Sequence, residues 1–269
     1  MIGRIRRQLQ KWKRRITRSA HRLRAADIDA ALEQMSVQSS CLFVHSSLSA
    51  CGQIVGGSKD VIECLELRCK TLVLPTHTYC YPSTQDALGA IFDARSTASQ
   101  VGAISDHFWR GSDCFRSLHP THSLAAKGVG AEELCEGHEQ CDTPCGVGTP
   151  YDKLVTNHAA VLMFGCDLNT YTLFHTSEAY ANCDYLYYPG SWKLQCRDHD
   201  GTTLQLDSKR QDMSVRRRFR QMEEELCRQG LAKKKPLGCG CLLYIQDAND
   251  LNKYVCEQIK QYPRYLVES

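Results

Sequence analysis

An α/β fold built on a mixed sheet with flanking helices is predicted by three features of the sequence. Residues 41–44, 71–74 and 159–164 are short, predominantly apolar runs of the kind that form strands buried on both faces. Segments with apolar residues at intervals of three and four separate them, as amphipathic helices between strands require. Beyond residue 185, two alternating stretches at 193–197 and 202–206 flank Asp200-Gly201, which signals an antiparallel hairpin. The 269 residues, 42% of them hydrophobic, suffice for one substantial core.

Taken in order, the chain opens on a basic arm. Residues 1–24 carry ten Lys or Arg and no Asp or Glu, which leaves 23 basic against 30 acidic residues in 25–269, a formal −7. Ile2, Ile5, Leu9, Trp12, Ile16 and Leu23 fall at helical spacing, so the arm reads as an amphipathic basic helix. Such a helix docks on the body or on a second copy in a homodimer, or lies on an anionic membrane surface through residues 1–24. A second helix is predicted near 25–35, and the chain divides into a helical arm, 1–35, and a body, 36–269. An acidic body suits a cationic amine and argues against nucleic acid.

The strand at 41–44 ends at His45. The glycine-containing loop that follows leads to Ser58 as the predicted cap of a helix carrying Val61, Ile62 and Leu65. The strand at 71–74, stopped by Pro75, then closes a βαβ unit with a parallel pair. A long polar loop runs to about residue 100. A helix near 101–109, a strand and loop through 116–127, the strand 159–164 and a helix over 170–181 come next. After the hairpin, a charged helix at 215–228, a turn at 238–240, a strand at 242–245 and a helix at 248–259 complete a C-terminal β-containing lobe. No run approaches the roughly 20 apolar residues of a membrane span, and no secretory signal is evident, so a cytoplasmic protein with reduced thiols is expected despite its 16 cysteines.

Four constellations could carry chemistry. His45-Ser46-Ser47 places an imidazole and two hydroxyls at a strand end ahead of a helix N-terminus, where exposed N–H groups favour an anion. Residues 116–123 pack Arg116, Ser117, His119, Thr121, His122 and Ser123 together, with Pro120 holding His119 extended. His175 and Glu178 lie three apart on one helix face, a general base with a carboxylate to orient it. Cys135, His138, Cys141 and Cys145 lie within eleven residues, but their gaps are short for a tetrahedral zinc loop.

In order and interval, these motifs resemble the aminoglycoside 3-N-acetyltransferase family: His45-Ser46-Ser47-Leu48 with Gly52 and Gly56-Gly57, Pro75-Thr76-His77-Thr78, Phe92-Asp93, Arg116-Ser117-x-His119-Pro120-x-x-Ser123, Gly148-x-Pro150, and Asn169-Thr170 with His175-x-x-Glu178. The match runs from about residue 41 to 183. The resemblance implies an antibiotic N-acetyltransferase fold distinct from that of the GNAT enzymes, acetyl-CoA as donor, an amine of an aminoglycoside or other amino sugar as acceptor, and no metal. It implies that His45, Ser46, Ser47, Thr76, Ser117 and Ser123 contact the CoA side. It places His175 and Glu178 at the catalytic centre, with His119 and Asp93 lining it. The rival readings are a metal-dependent amidohydrolase or deacetylase using His45, His77, His119, His122 and Asp93, and a non-catalytic binding protein of the same fold. Missing HxH and HExxH spacings count against the hydrolase.

Overall fold

A computed structural model describes residues 21–85 and 87–268. Its centre is a seven-stranded mixed sheet. The apolar runs form β2 (Ser39–Ser46), β4 (Cys69–Pro75) and β8 (Ala160–Phe164), with β2 parallel to both neighbours. Beyond β4 come β7 (Leu124–Gly128) and then β6 (Cys114–Arg116), each antiparallel to the strand before it. Beyond β8 come β12 (Gly240–Ile245) and then β11 (Lys233–Leu237), again antiparallel. Because helices cover both faces, the central strands have no polar face, and this is why their sequence is continuous rather than alternating.

Successive residues of one strand feed opposite cores. Leu42 and Val44 pack beneath α1 (Ala25–Gln34), α2 (Gly57–Glu66) and α3 (Ala103–Trp109). Phe43, between them, joins Val161, Met163 and Leu243 under α5 (Pro150–Thr156), α6 (Leu173–Tyr180) and α8 (Ala248–Gln261). The short α4 (Ala131–Cys135) and α7 (Met222–Arg228) complete that second layer. Thr149 caps α5, with Pro150 at its first turn, and Asp247 caps α8 by accepting from the amides of Asn249 and Asp250.

The hairpin is longer than its alternation suggested. Antiparallel β9 (Tyr187–Arg197) and β10 (Thr203–Gln211), with β5 (Phe92–Asp93) added parallel to β9, make a separate three-stranded sheet over Phe92, Leu194, Cys196 and Leu206. A third, two-stranded pair joins β1 (Arg22–Leu23) to β3 (Gln53–Ile54). The C-terminal third therefore serves two sheets, since β11 and β12 extend the central one.

Several elements differ from expectation. The helix expected over 215–228 begins only at Met222, after a 3-10 turn at Phe219–Gln221. Upstream, Arg217 bridges Val267, and the amide of Arg218 donates to Leu266, so pairing with the chain end replaces helix. The strand β11 went unseen because Lys233, Lys234, Lys235 and Pro236 are residues that blunt a sheet edge. The cap of α2 is Gly56, not Ser58, at φ +82, and a Cβ there would collide with the Asp60 carboxylate. That carboxylate occupies the helix N-terminus where an anion was anticipated. Of the predicted arm, residues 22–34 are built into the body, with Leu23, Ile28, Ala31 and Leu32 buried in its core. The stripe from Ile2 to Ile16 lies outside the described residues. Among the described residues no helix is long and apolar enough to cross a membrane, and the sixteen cysteines are all free thiols.

Candidate active site

Parallel strands leave a crevice at their C-terminal ends, and here it is a cleft of about 480 Å³. His45 and Ser46 from the end of β2 and Pro75 from the end of β4 form one wall. Asn169 and Thr170, from a 3-10 turn capped by Asp167, and His175 from α6 form another. The end of β10 closes the cleft with Arg210 and Gln211.

His175 and Glu178 meet as their spacing requires. His175 Nδ1 and Glu178 Oε2 are 2.6 Å apart, and Arg217 Nε donates to Glu178 Oε1 at 3.2 Å. The Glu178 side chain is fully buried, that of Arg217 is 7% exposed, and that of His175 is 15% exposed and reaches the cleft. Burial by itself would raise the pKa of Glu178, but the hydrogen bond and charge of His175, together with Arg217, outweigh it and hold the carboxyl below its ordinary range. The result is an ionised carboxylate fixing one imidazole nitrogen while the other has no hydrogen-bond partner among the described residues. Such a pair can accept a proton from a bound substrate and stabilise the resulting imidazolium.

A second group of histidines adjoins the pair, His77 and His122 on the cleft wall and His119 and His138 buried behind it. His119 and His138 stack at 4.7 Å, and His77 and His122 lie 4.8 Å apart. Nδ1 of His119 accepts from the amides of Thr121 and His122, which leaves Nε2 to donate to Ser208 Oγ at 3.3 Å. His138 Nε2 donates to the carbonyl of Pro144, so its Nδ1 accepts from Ser117 Oγ, which itself accepts from the Leu124 amide. Tyr151 donates its hydroxyl proton to the His122 carbonyl and accepts from His77 Nε2 at 2.7 Å. Desolvation lowers the pKa of all four, to about 3 for His122 and His138, and of His45 to about 3. All five are neutral at pH 7.

The remaining sequence candidates separate accordingly. His45 and Ser46 line the cleft, and the buried Nε2 of His45 has no hydrogen-bond partner among the described residues. Ser47 is half-buried just beyond, its amide donating to Phe164 and its carbonyl lying close to Gly165, where a Cβ would be 2.8 Å away. His119, expected to line the cleft, is buried beneath it with both ring nitrogens occupied. Thr76, Ser117 and Ser123 are also buried and turned inward: Ser123 Oγ donates to the Thr76 carbonyl, and Arg116 Nε donates to Thr76 Oγ1. Asp93 stands outside the cleft on the small sheet, 3.6 Å from Arg197, because pairing of β5 with β9 carries it there. Among the described residues no group of three or more His, Cys, Asp or Glu could hold a metal, so neither the rival histidine set nor the Cys135–Cys145 loop forms such a centre.

Sequence reasoning missed Arg217, Tyr151 and Arg210. Arg217 is one of three consecutive arginines in a segment that reads as a charged helix, and nothing local distinguishes the one that turns inward. Tyr151 could have been suspected, since a phenol two residues into a capped helix is apolar enough to bury and still needs a polar partner.

The comparisons with known proteins agree with this architecture. The family model described as aminoglycoside 3-N-acetyltransferase matches residues 43–257. An aminoglycoside N(3)-acetyltransferase III of Salmonella sp is 30% identical over 176 residues, 58% of this chain and 60% of that one. An aminoglycoside N(3)-acetyltransferase IX of Micromonospora chalcea is 31% identical over 155 residues, 51% of this chain and 55% of its own. The chain thus aligns with little more than half the length of these relatives. In three dimensions, aminoglycoside acetyltransferase AAC(3)-Xa superposes with a TM-score of 0.80 at 21% identity, covering 94% of this chain and 98% of its own. The enzyme AAC-IIIb, solved with CoASH, gives 0.77 at 20% identity over 89% and 97%. With a family model spanning most of the chain and a shared fold beyond it, the chain belongs to the aminoglycoside 3-N-acetyltransferase family.

Proposed function

We propose that the protein is an N-acetyltransferase that moves the acetyl group of acetyl-CoA onto an amine of an aminoglycoside or another amino sugar. The observation that carries this reading is the His175–Glu178–Arg217 arrangement opening on a cleft at the strand ends. The amine nitrogen attacks the thioester carbon, the new C–N bond forms, the C–S bond breaks, and CoA departs with the sulfur. His175 takes the proton that the amine loses. Glu178 accepts from Nδ1–H, fixes the tautomer and stabilises the imidazolium, and Arg217 keeps Glu178 ionised. His45 and Ser46, with Ser47 behind them, are the proposed contacts for the donor, and neutral His45 offers it an unpartnered nitrogen. Relatives support the choice of ligands: AAC-IIIb was solved with CoASH, a mutant of AAC(3)-IVa with a gentamicin and AAC-VIa with sisomicin.

The experiment is a thermal shift followed by turnover. A ligand that binds only the folded form raises stability by RT ln(1 + [L]/Kd), so CoA should raise Tm in a concentration-dependent way. Thiol release from acetyl-CoA should then depend on an added amine. A folded protein with neither property is not an acetyltransferase.

A further inference from the structure

The cleft is lined with a charge distribution that bears on its acceptor. Among the described residues, its lining contains no Asp or Glu. Glu178, behind His175, is already bound on both oxygens by His175 and Arg217. Of the lining imidazoles, His45, His77 and His122 are neutral through burial. The permanent charge in the lining is a cation, Arg210. A polyamine carrying several ammonium groups would meet that guanidinium with no carboxylate in the lining to pair against, and like charges brought together repel.

Arg210 is also specially placed. The ladder between β9 and β10 pairs Lys209 with Ser191 and Gln211 with Tyr187, and the register shifts between them. The extra residues, Tyr188, Pro189 and Gly190, are on β9, so Arg210 stands opposite a bulge, and bulges re-aim side chains beside functional clefts. Its guanidinium lies 4.6 Å from the ring centroids of both Tyr81 and Trp192, and 5.8 Å from Tyr188. Rings take the faces of a guanidinium and leave its N–H edge free, the edge that binds carboxylate or phosphate in two parallel hydrogen bonds. No carboxylate among the described residues pairs with it.

We infer that the acceptor is an amino sugar with a single reacting amine and an anionic substituent, phosphate or carboxylate, which the N–H edge of Arg210 engages while His175 receives the amine proton. This rests on the acetyl-transfer reading above and narrows its substrate class. The anion fixes the sugar at one end of the cleft and the dyad acts at the other.

The test uses the full chain, acetyl-CoA and thiol release, with glucosamine 6-phosphate, muramic acid, glucosamine and gentamicin as acceptors. The better of the two anionic sugars should exceed glucosamine in kcat/KM by at least about tenfold, the order expected for one charge-assisted bidentate contact, and gentamicin should fall below glucosamine. Arg210→Gln should bring the ratio of anionic to neutral sugar close to one, and Arg210→Lys should retain part of it. CoA-induced thermal stabilisation verifies that each variant is folded. Gentamicin as the best acceptor, equal rates for glucosamine and the anionic sugars, or no turnover of either anionic sugar by a CoA-binding protein would overturn the inference. So would a raised KM for acetyl-CoA in Arg210→Gln with the acceptor ratio intact, since Arg210 would then serve the donor's phosphates. Absence of both the CoA shift and thiol release with every amine sinks the acetyl-transfer reading itself, a result distinct from the others.

Discussion

The molecule holds two imidazole-rich regions, and they are built to opposite ends. In the turn from Arg116 to Ser123 and the residues around it, His119 and His138 have both nitrogens occupied by protein groups, and burial keeps their rings neutral. On α6, a single histidine has one nitrogen held by an ionised carboxylate and reaches the cleft. The buried His119 and His138 serve the scaffold, and the sparse pair is the one proposed to do the chemistry. What separates them is not the number of imidazoles but whether a carboxylate organises one nitrogen while the other stays unsatisfied.

Acid should expose the scaffold first and with the largest effect. The folded pKa values of His45, His77, His119, His122 and His138 lie below the ordinary 6.5. Above pH 6.5 neither state binds these protons and stability is complete. Below it, the unfolded chain takes up protons that the folded chain refuses, so stability falls as pH drops from 6.5 toward about 3. Each such group costs about 1.4 kcal/mol per pH unit, and several together amount to roughly half of a typical domain's stability within one unit. Glu178, whose pKa is depressed, adds its own loss as pH falls below about 4.5 and through its folded pKa. Denaturant titrations at pH 7.5, 6.5 and 5.5 check this, and a flat midpoint across that range would break the contrast between the regions.

The chemistry side is tested by His175→Ala, which should lower kcat by about a hundredfold to ten-thousandfold while CoA binding persists. An unchanged kcat in a folded variant, with chemistry rate-limiting, would remove the dyad from the mechanism. Glu178→Gln keeps shape but loses the charge, so its kcat loss should be smaller, with some loss of stability because Arg217 is left buried without its partner. If the two act as a unit, the double variant should lose far less than the product of the single losses.

His119→Ala supplies the reciprocal measurement. It leaves the amides of Thr121 and His122 without their acceptor and should cost stability by about 1–3 kcal/mol per orphaned group, with a much smaller effect on kcat than His175→Ala. A collapse of kcat at undiminished stability would return His119 to the catalytic centre. The smallest effect is expected from removing residues 1–20, which should leave kcat essentially intact. Extending the deletion through residue 35 removes Ile28 and Leu32 from the core and should prevent folding, a difference that circular dichroism and turnover together would show.

The sequence alone determined the central strands, because burial on both faces forces continuous apolar runs, and the pairing of His175 with Glu178, because a helix puts positions three apart on one face. It also carried the family motifs in order. Only the tertiary structure decided which motif residues share the cleft. Asp93 leaves it because a two-residue strand pairs with the distant hairpin. Thr76, Ser117 and Ser123 turn inward because Arg116, His138 and the Thr76 carbonyl respectively engage their hydroxyls. Arg217 meets Glu178 beside a bridge to Val267, and Arg210 reaches the cleft opposite a bulge in β9. These are long-range hydrogen bonds and packing contacts, and local spacing carries no record of them.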